Sequence, residues 1–376
     1  MDPLSGEYTL TQLERVVFGA GCVARVGEEV ARLGVSRALV VTGRTLGASP
    51  LLARVTAALG DRCVEVFTGA RQHVPAAAVD DLVRALDRAG ADGLVSFGGG
   101  SPIDAAKAAV HQRLAGQGSD AGAPLPHVAI PTTLSAGEFT AVAGVTDDGS
   151  RVKHAIVDAR LAPRVVVLDP TLAMATPDWL WAASGMRAVD HAVETLSSRY
   201  QHPVAGSQAA AALALLAAHL EASRDPAALE ARLRCQTAAW MSVQGIGYAG
   251  LGLSHALGHQ IGPRWNVAHG VTSCITLPHA MRAIARRCPE RFNRIADALG
   301  IRFDAANPAP SAAACAEAVT ALVGRLRLPS RLSDVGVGRQ ELASLAAVVH
   351  EVMSRHPRVA HDATLPEIAA VLDAAW

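Results

Sequence analysis

Short runs of β-branched and aliphatic residues at 37–42, 63–67, 93–97, 127–130 and 164–168 alternate with stretches whose apolar positions recur at helical spacing, among them 75–89 and 102–114. Runs of this length without polar alternation are expected of strands covered on both faces, and strands alternating with helices predict a parallel sheet. Beyond about Pro170 the texture changes to helical periodicity alone, at 185–198, 205–222, 229–248, 311–326 and 339–353. Ser311 suits the N-cap of its helix, and Pro263, Pro278 and Pro329 are read as interruptions between elements. The expected architecture is an α/β dinucleotide-binding domain over 1–172 followed by an all-α catalytic domain over 173–376.

A chain of 376 residues is long enough for two cores of ordinary size. Its 34 basic and 34 acidic residues give no net field to draw in a polyanion or a lipid surface, so neither nucleic acid nor a membrane is an expected partner. The most apolar run, 205–220, is broken by Ser207 and Gln208 and carries His219, which predicts a buried helix and not a span. Residues 1–10 include Asp2 and Glu7 and lack the apolar core of a secretory leader. Six scattered cysteines with no CxxC spacing predict reduced thiols and a cytoplasmic protein.

Four segments carry candidate chemistry. In Ser96-Phe-Gly-Gly-Gly-Ser-Pro-Ile-Asp-Ala-Ala-Lys107, three glycines follow a strand and Pro102 opens a helix. Such a turn lets a pyrophosphate approach the backbone while the helix start offers unpaired N–H groups; a tight turn without ligand would look similar. The segment lacks the GxGxxG spacing. Ile130-Pro-Thr-Thr-Leu-Ser-Ala-Gly-Glu138 ends a strand in hydroxyls, at the place where open α/β sheets bind ligands. The third, Gly185-Met-Arg-Ala-Val-Asp-His-Ala-Val-Glu194, is helical. The fourth places His255 and His259 on one helix face, with His269 following a Gly-Pro break that could fold it back.

In this order and spacing the segments resemble the iron-containing alcohol dehydrogenases, a superfamily that includes the maleylacetate reductases. The resemblance runs from Arg15-Val-Val-Phe-Gly-Ala-Gly21 through Leu168-Asp-Pro170 to beyond Leu277-Pro-His-Ala280. It implies hydride transfer between a nicotinamide cofactor and a carbonyl. Gly98, Gly99, Gly100 and Ser101 would hold the pyrophosphate, Asp104 would sit at the start of the following helix, and Thr132, Thr133 and Leu134 would line the nucleotide and nicotinamide. Metal-dependent members hold a divalent ion on an aspartate and a histidine four residues apart and on the first and last histidines of the later cluster. Matched to this chain, those positions are Arg187, His191, His255 and His269.

The aspartate position therefore holds a guanidinium, which stays protonated and cannot coordinate a metal. Asp190, one residue from His191 on the helix, is a poor substitute ligand. Arg187 is expected either to pair with Asp190 on the helix face or to take over the electrostatic work of the ion, polarising a carbonyl or clamping a carboxylate. Gln72-His-Val-Pro75 and Leu277-Pro-His-Ala280 look most like the maleylacetate reductases, which reduce an anionic substrate without a bound metal. Arg187, His191, His255 and His269 would stabilise the developing oxyanion, with His259 or His255 supplying the proton.

Gly43-Arg44 stands where relatives that prefer NAD tend to carry an aspartate, so NADPH is expected to be accepted alongside NADH. The partners expected are a small-molecule substrate and, from the resemblance, a second copy in a homodimer. Two other readings compete: a metal-dependent alcohol dehydrogenase using His191, His255 and His269, and a cofactor-binding protein that has lost redox activity.

Overall fold

The computed structural model describes residues 10–116, 122–149, 153–200, 202–355, 359 and 363–376, so the segment read for a leader lies, but for Leu10, outside the described residues. These fall into two units, Leu10–Thr176 and Pro177–Trp376.

The first unit is built on eight strands: β1 (Arg15–Phe18), β2 (Ala38–Val41), β3 (Cys63–Phe67), β4 (Gly93–Gly98), β5 (His127–Pro131), β6 (Val142–Thr146), β7 (Lys153–Val157) and β8 (Val165–Leu168). Its helices are α1 (Val26–Arg32), α2 (Arg44–Gly47), α3 (Pro50–Leu59), α4 (Ala76–Ala89) and α5 (Gly100–Gly116). Six strands form a parallel sheet in the order β1-β8-β5-β4-β2-β3. All five strand runs expected from the sequence are in it.

Why those runs lack polar alternation is plain from the packing. Ala38, Val40, Val95, Phe97, Val128 and Ile130 enter the core on one face, with α1 and α3. Leu39, Val41 and Leu94 enter the core on the other, with Leu82, Leu86, Ala105 and Ala109 of α4 and α5. An antiparallel pair, β6 with β7, is added to this plan. The sequence reading missed it.

From β2 the chain runs outward to β3 and returns to β4 on the other side of β2, so the connections diverge between β2 and β4. At such a reversal the helices leave a crevice beyond the carboxyl ends of the strands, where open α/β sheets bind ligands.

The second unit has helices and short 3₁₀ turns, with no strand among its described residues. Its helices are α6 (Asp178–Ser197), α7 (Pro203–His219), α8 (Leu229–Val243), α9 (Ile246–Ala249), α10 (Leu253–Trp265), α11 (His269–Arg287), α12 (Asn293–Ala298), α13 (Pro308–Arg325), α14 (Leu342–Ser354) and α15 (Leu365–Ala375). Helix α6 is the centre: every residue from 181 to 197 is buried, and it packs against α7, α8 and α11.

Three local expectations are corrected. Pro263 and Pro278 lie inside α10 and α11. Pro263 falls in the last turn of its helix, and Pro278 is buried in packing that outweighs the loss of one backbone hydrogen bond. The break before His269 is instead Asn266, in left-handed conformation at φ 54°. Ser311 is not the N-cap of α13, which starts after Asn307; its hydroxyl accepts from Asp304 N and donates to Arg302 O. Helix α7 buries one face and leaves Val204 exposed, so the apolar run is amphipathic in effect. Among the described residues no helix is long and apolar enough to cross a membrane, and all six cysteines are free.

Candidate active site

Because β5, β4 and β2 are neighbours and parallel, the segments that follow them emerge at the same sheet edge. Gly43 and Arg44 follow β2, Gly98 ends β4, Gly100 and Ser101 open α5, and Thr132, Thr133 and Leu134 follow β5. Gly98 has φ 142°, and a Cβ there would come within 2.9 Å of Pro102. A Cβ on Gly99 would lie 3.0 Å from Thr133 Cγ2, and Thr132 N donates to Gly98 O at 2.9 Å. Bare backbone thus meets the start of a 17-residue helix with no acidic residue in its first turn. That is a cradle suited to a pyrophosphate, and it fits a dinucleotide.

Two residues of these segments do structural work nearby. Asp104, in the second turn of α5, accepts from Gly144 N at 3.2 Å. Lys107, fully buried, donates to Gly137 O, Thr140 Oγ1 and Val142 O and so fixes the chain that follows the threonines. Burial pushes Lys107 down to about 8 and Glu138 up to about 7. The sequence reading quoted both residues and gave neither a role.

In the helical unit, Arg187, Asp190, His191 and Glu194 fall at i, i+3, i+4 and i+7 and share one face of α6. His255 and His259 share a face of α10, and His269 and Ser273 share a face of α11. Helices α6 and α11 approach closely because Gly270 has no side chain; a Cβ there would sit 2.2 Å from Ala183 O.

The result is one polar cluster holding all five residues singled out as catalytic. Arg187 Nη2 lies 3.4 Å from His259 Nε2, and Nη1 donates to Ser273 Oγ at 3.2 Å. The His191 and His255 rings stack at 4.9 Å between centroids, and the His259 and His269 rings meet edge to face at 5.5 Å. His255 is fully buried, His259 is exposed and His269 is half-buried.

Behind the histidines sits a carboxylate layer of Asp190, expected only as a helix-face partner of Arg187, and Glu194, for which the sequence suggested no role. Glu194 accepts from the backbone N–H groups of Gly252 and His255, and its Oε2 comes within 2.6 Å of His255 Nδ1. Asp190 Oδ2 accepts from Ser254 Oγ at 2.8 Å and from Ser273 Oγ at 2.6 Å; its Oδ1 lies 3.5 Å from His255 Nδ1. Arg187 Nη1 stays 3.7 Å from Asp190, so the pair exists but is loose. Asp190, Glu194 and His255 bring ligand-capable atoms within 4.8 Å of one another.

The electrostatics follow from burial and these partners. Burial and Arg187 push His255 down, but Asp190 and Glu194 outweigh them and raise it. His191 falls well below the usual imidazole range, first through burial and then through His255, Arg187 and His259. Burial presses on Arg187 too, with Asp190 and Glu194 opposing, and a guanidinium lowered this way remains charged.

The iron-containing alcohol dehydrogenase family model matches residues 14–170, and the C-terminal model of the same family matches 181–376. A maleylacetate reductase of Burkholderia cepacia is 34% identical over 349 residues, 92% of each chain. The lactaldehyde reductase of Escherichia coli K12 is 31% identical over 96% of this chain and 98% of its own. The crystal structure of maleylacetate reductase from Agrobacterium tumefaciens superposes with a TM-score of 0.84 at 28% identity, covering 99% of this chain and 98% of that one. The chain belongs to the iron-containing alcohol dehydrogenase family, on its maleylacetate reductase-like side, and is an NAD(P)-dependent oxidoreductase acting on CH–OH or carbonyl groups.

Proposed function

We propose that the chain reduces the ketone or aldehyde of a carboxylate-bearing substrate, as a maleylacetate reductase-like enzyme that uses Arg187 in place of a metal ion. The observation that carries this reading is the guanidinium itself, at 8% exposure, 3.4 Å from His259 and 3.7 Å from Asp190.

Charge counting supports it. With His255 protonated, Arg187 and His255 offset Asp190 and Glu194, and the buried set is neutral. A divalent ion on His191, His255 and His269, or on Asp190, Glu194 and His255, would displace the His255 proton and leave a net positive charge beside a guanidinium that cannot release its own. Both carboxylates also spend acceptor capacity on hydroxyl and backbone N–H donors. The net charge and the acceptors already in use favour Arg187 over a metal ion at this site.

The cofactor, when bound, supplies the hydride that reduces the carbonyl carbon, and Gly98, Gly99, Gly100, Ser101, Thr132, Thr133 and Leu134 would hold it, with Asp104 bracing the cradle. Arg187 donates to the oxygen on which charge develops, or to the substrate carboxylate, in a site where buried donors act strongly. His259, in contact with Arg187 and open to solvent, gives the proton to that oxygen and regains it from water. His255, enclosed behind it, holds the cluster with His191 and His269 and is not the donor. Arg44, exposed at the start of α2 with no acidic residue in that turn, leaves room for a 2′-phosphate, which favours NADPH as well as NADH. A homodimer is carried over from the family resemblance, and a cytoplasmic location from the scattered cysteines, all six of which are free thiols.

The test is turnover of NADPH with maleylacetate and with a neutral aldehyde of similar size. Arg187→Ala should lower kcat/KM for maleylacetate by about 100-fold, the scale of one lost oxyanion donor, with NADPH affinity unchanged. Unchanged turnover would remove Arg187 from the chemistry.

A further inference from the structure

Arg187 and Asp190 are three residues apart on α6, a spacing at which a guanidinium can close directly onto a carboxylate. Direct charged pairs settle at about 2.8 Å. Here the separation is 3.7 Å, and the gap is bridged. Ser273 Oγ donates to Asp190 Oδ2 at 2.6 Å and accepts from Arg187 Nη1 at 3.2 Å.

We propose that Ser273 is a positioning residue whose hydroxyl keeps Arg187 from collapsing onto Asp190, so that the guanidinium stays turned toward His259 and the substrate. The inference rests on the role of Arg187 proposed above. Three features make the hydroxyl a spacer and not an incidental contact. Ser273 is fully buried, so its hydroxyl does not exchange partners with bulk water. Asp190 Oδ1 has only His255 Nδ1 at 3.5 Å, so loss of the Ser273 donor leaves Oδ2 with Ser254 alone, and Arg187 Nη1, 3.7 Å away, is the cation on that side. The position of the hydroxyl is set by backbone: Gly270, one turn before Ser273, brings α11 against α6, and Gly258 lets α10 close on α11, since a Cβ there would stand 2.6 Å from Thr272 Oγ1.

Ser273→Ala should therefore cost activity without unfolding the protein, because Arg187 is drawn onto Asp190 and away from the substrate. Kinetics are measured with NADPH and maleylacetate for wild type, Ser273→Ala, Ser273→Thr, Arg187→Ala and the Arg187→Ala/Ser273→Ala double variant, with thermal midpoints and NADPH titrations alongside. The expected result is a loss of about 10-fold or more in kcat/KM for Ser273→Ala, recovery in Ser273→Thr, and no further loss from Ser273→Ala once Arg187 is gone. Ser273→Ala equal to wild type while Arg187→Ala is impaired would overturn the spacer and leave Arg187 standing. The same fold loss with and without Arg187 would make Ser273 merely structural and also overturn the proposal. Arg187→Ala equal to wild type would remove the proposal and the reading beneath it together.

Discussion

His255 Nδ1 lies 2.6 Å from Glu194 Oε2 in a place where both side chains are shut away from water. The contact is a close approach of an imidazole to a carboxylate. Its weight is electrostatic: Glu194 and Asp190 are what hold the His255 proton against burial and the nearby guanidinium.

That pair makes stability depend on pH. His255 is raised in the folded protein above its ordinary value of 6.5, so between 6.5 and the raised value the native state holds a proton that the unfolded chain releases. The stability this supplies is complete below about pH 6.5 and fades as pH climbs through the folded value. Glu194→Gln removes the charge and keeps one acceptor oxygen, which serves either the Gly252 or the His255 N–H group. The variant should be less stable by about 3 kcal/mol at pH 6, the scale of a broken buried pair, with the gap to wild type narrowing toward pH 9. Chemical denaturation of both proteins across that range is the check; a gap that does not change with pH contradicts the charge coupling.

On the reading of Arg44 proposed above, cofactor choice should depend on the turn between β2 and α2. Gly43 has room for a side chain, since a Cβ there would lie 3.4 Å from Ala70 O. Gly43→Asp places a carboxylate where a 2′-phosphate would bind and repels it. Fluorescence titration should show NADPH affinity falling about 10-fold or more while NADH affinity holds or improves. Equal losses for both cofactors would mean that this turn does not read the ribose.

Gly270 sets two opposed effects against each other. Glycine to alanine inside a helix ordinarily gains about 1 kcal/mol. Here the added Cβ would stand 2.2 Å from a backbone oxygen of α6, which cannot swing aside as a side chain can. The clash should win, with Gly270→Ala destabilised by about 2 kcal/mol or more and His269 displaced from His259. A denaturation midpoint equal to or above that of wild type would show that the two helices can separate freely.

Much of this was legible in the sequence for reasons that are local. Strands covered on both faces cannot hide their apolar runs, and the i, i+4 spacing of His255 and His259 survives folding unchanged. The features that stayed hidden depended on tertiary packing. The β6–β7 pair is short and partly exposed, so it has no buried run to mark it. Pro263 and Pro278 signalled breaks, yet burial along α10 and α11 overrides the propensity. Ser254 and Ser273 gain meaning only when three helices meet over Asp190. Glu194 could have been found, because the stripe of Arg187, Asp190 and His191 extends to it one turn later.

The most direct measurement is the metal content of the purified protein before and after exhaustive chelation, taken together with NADPH-dependent turnover of maleylacetate. The expected result is full activity with far less than one divalent ion per chain, unchanged by added iron or zinc. Activity that disappears on chelation and returns with one ion bound per chain would contradict a site that works through Arg187.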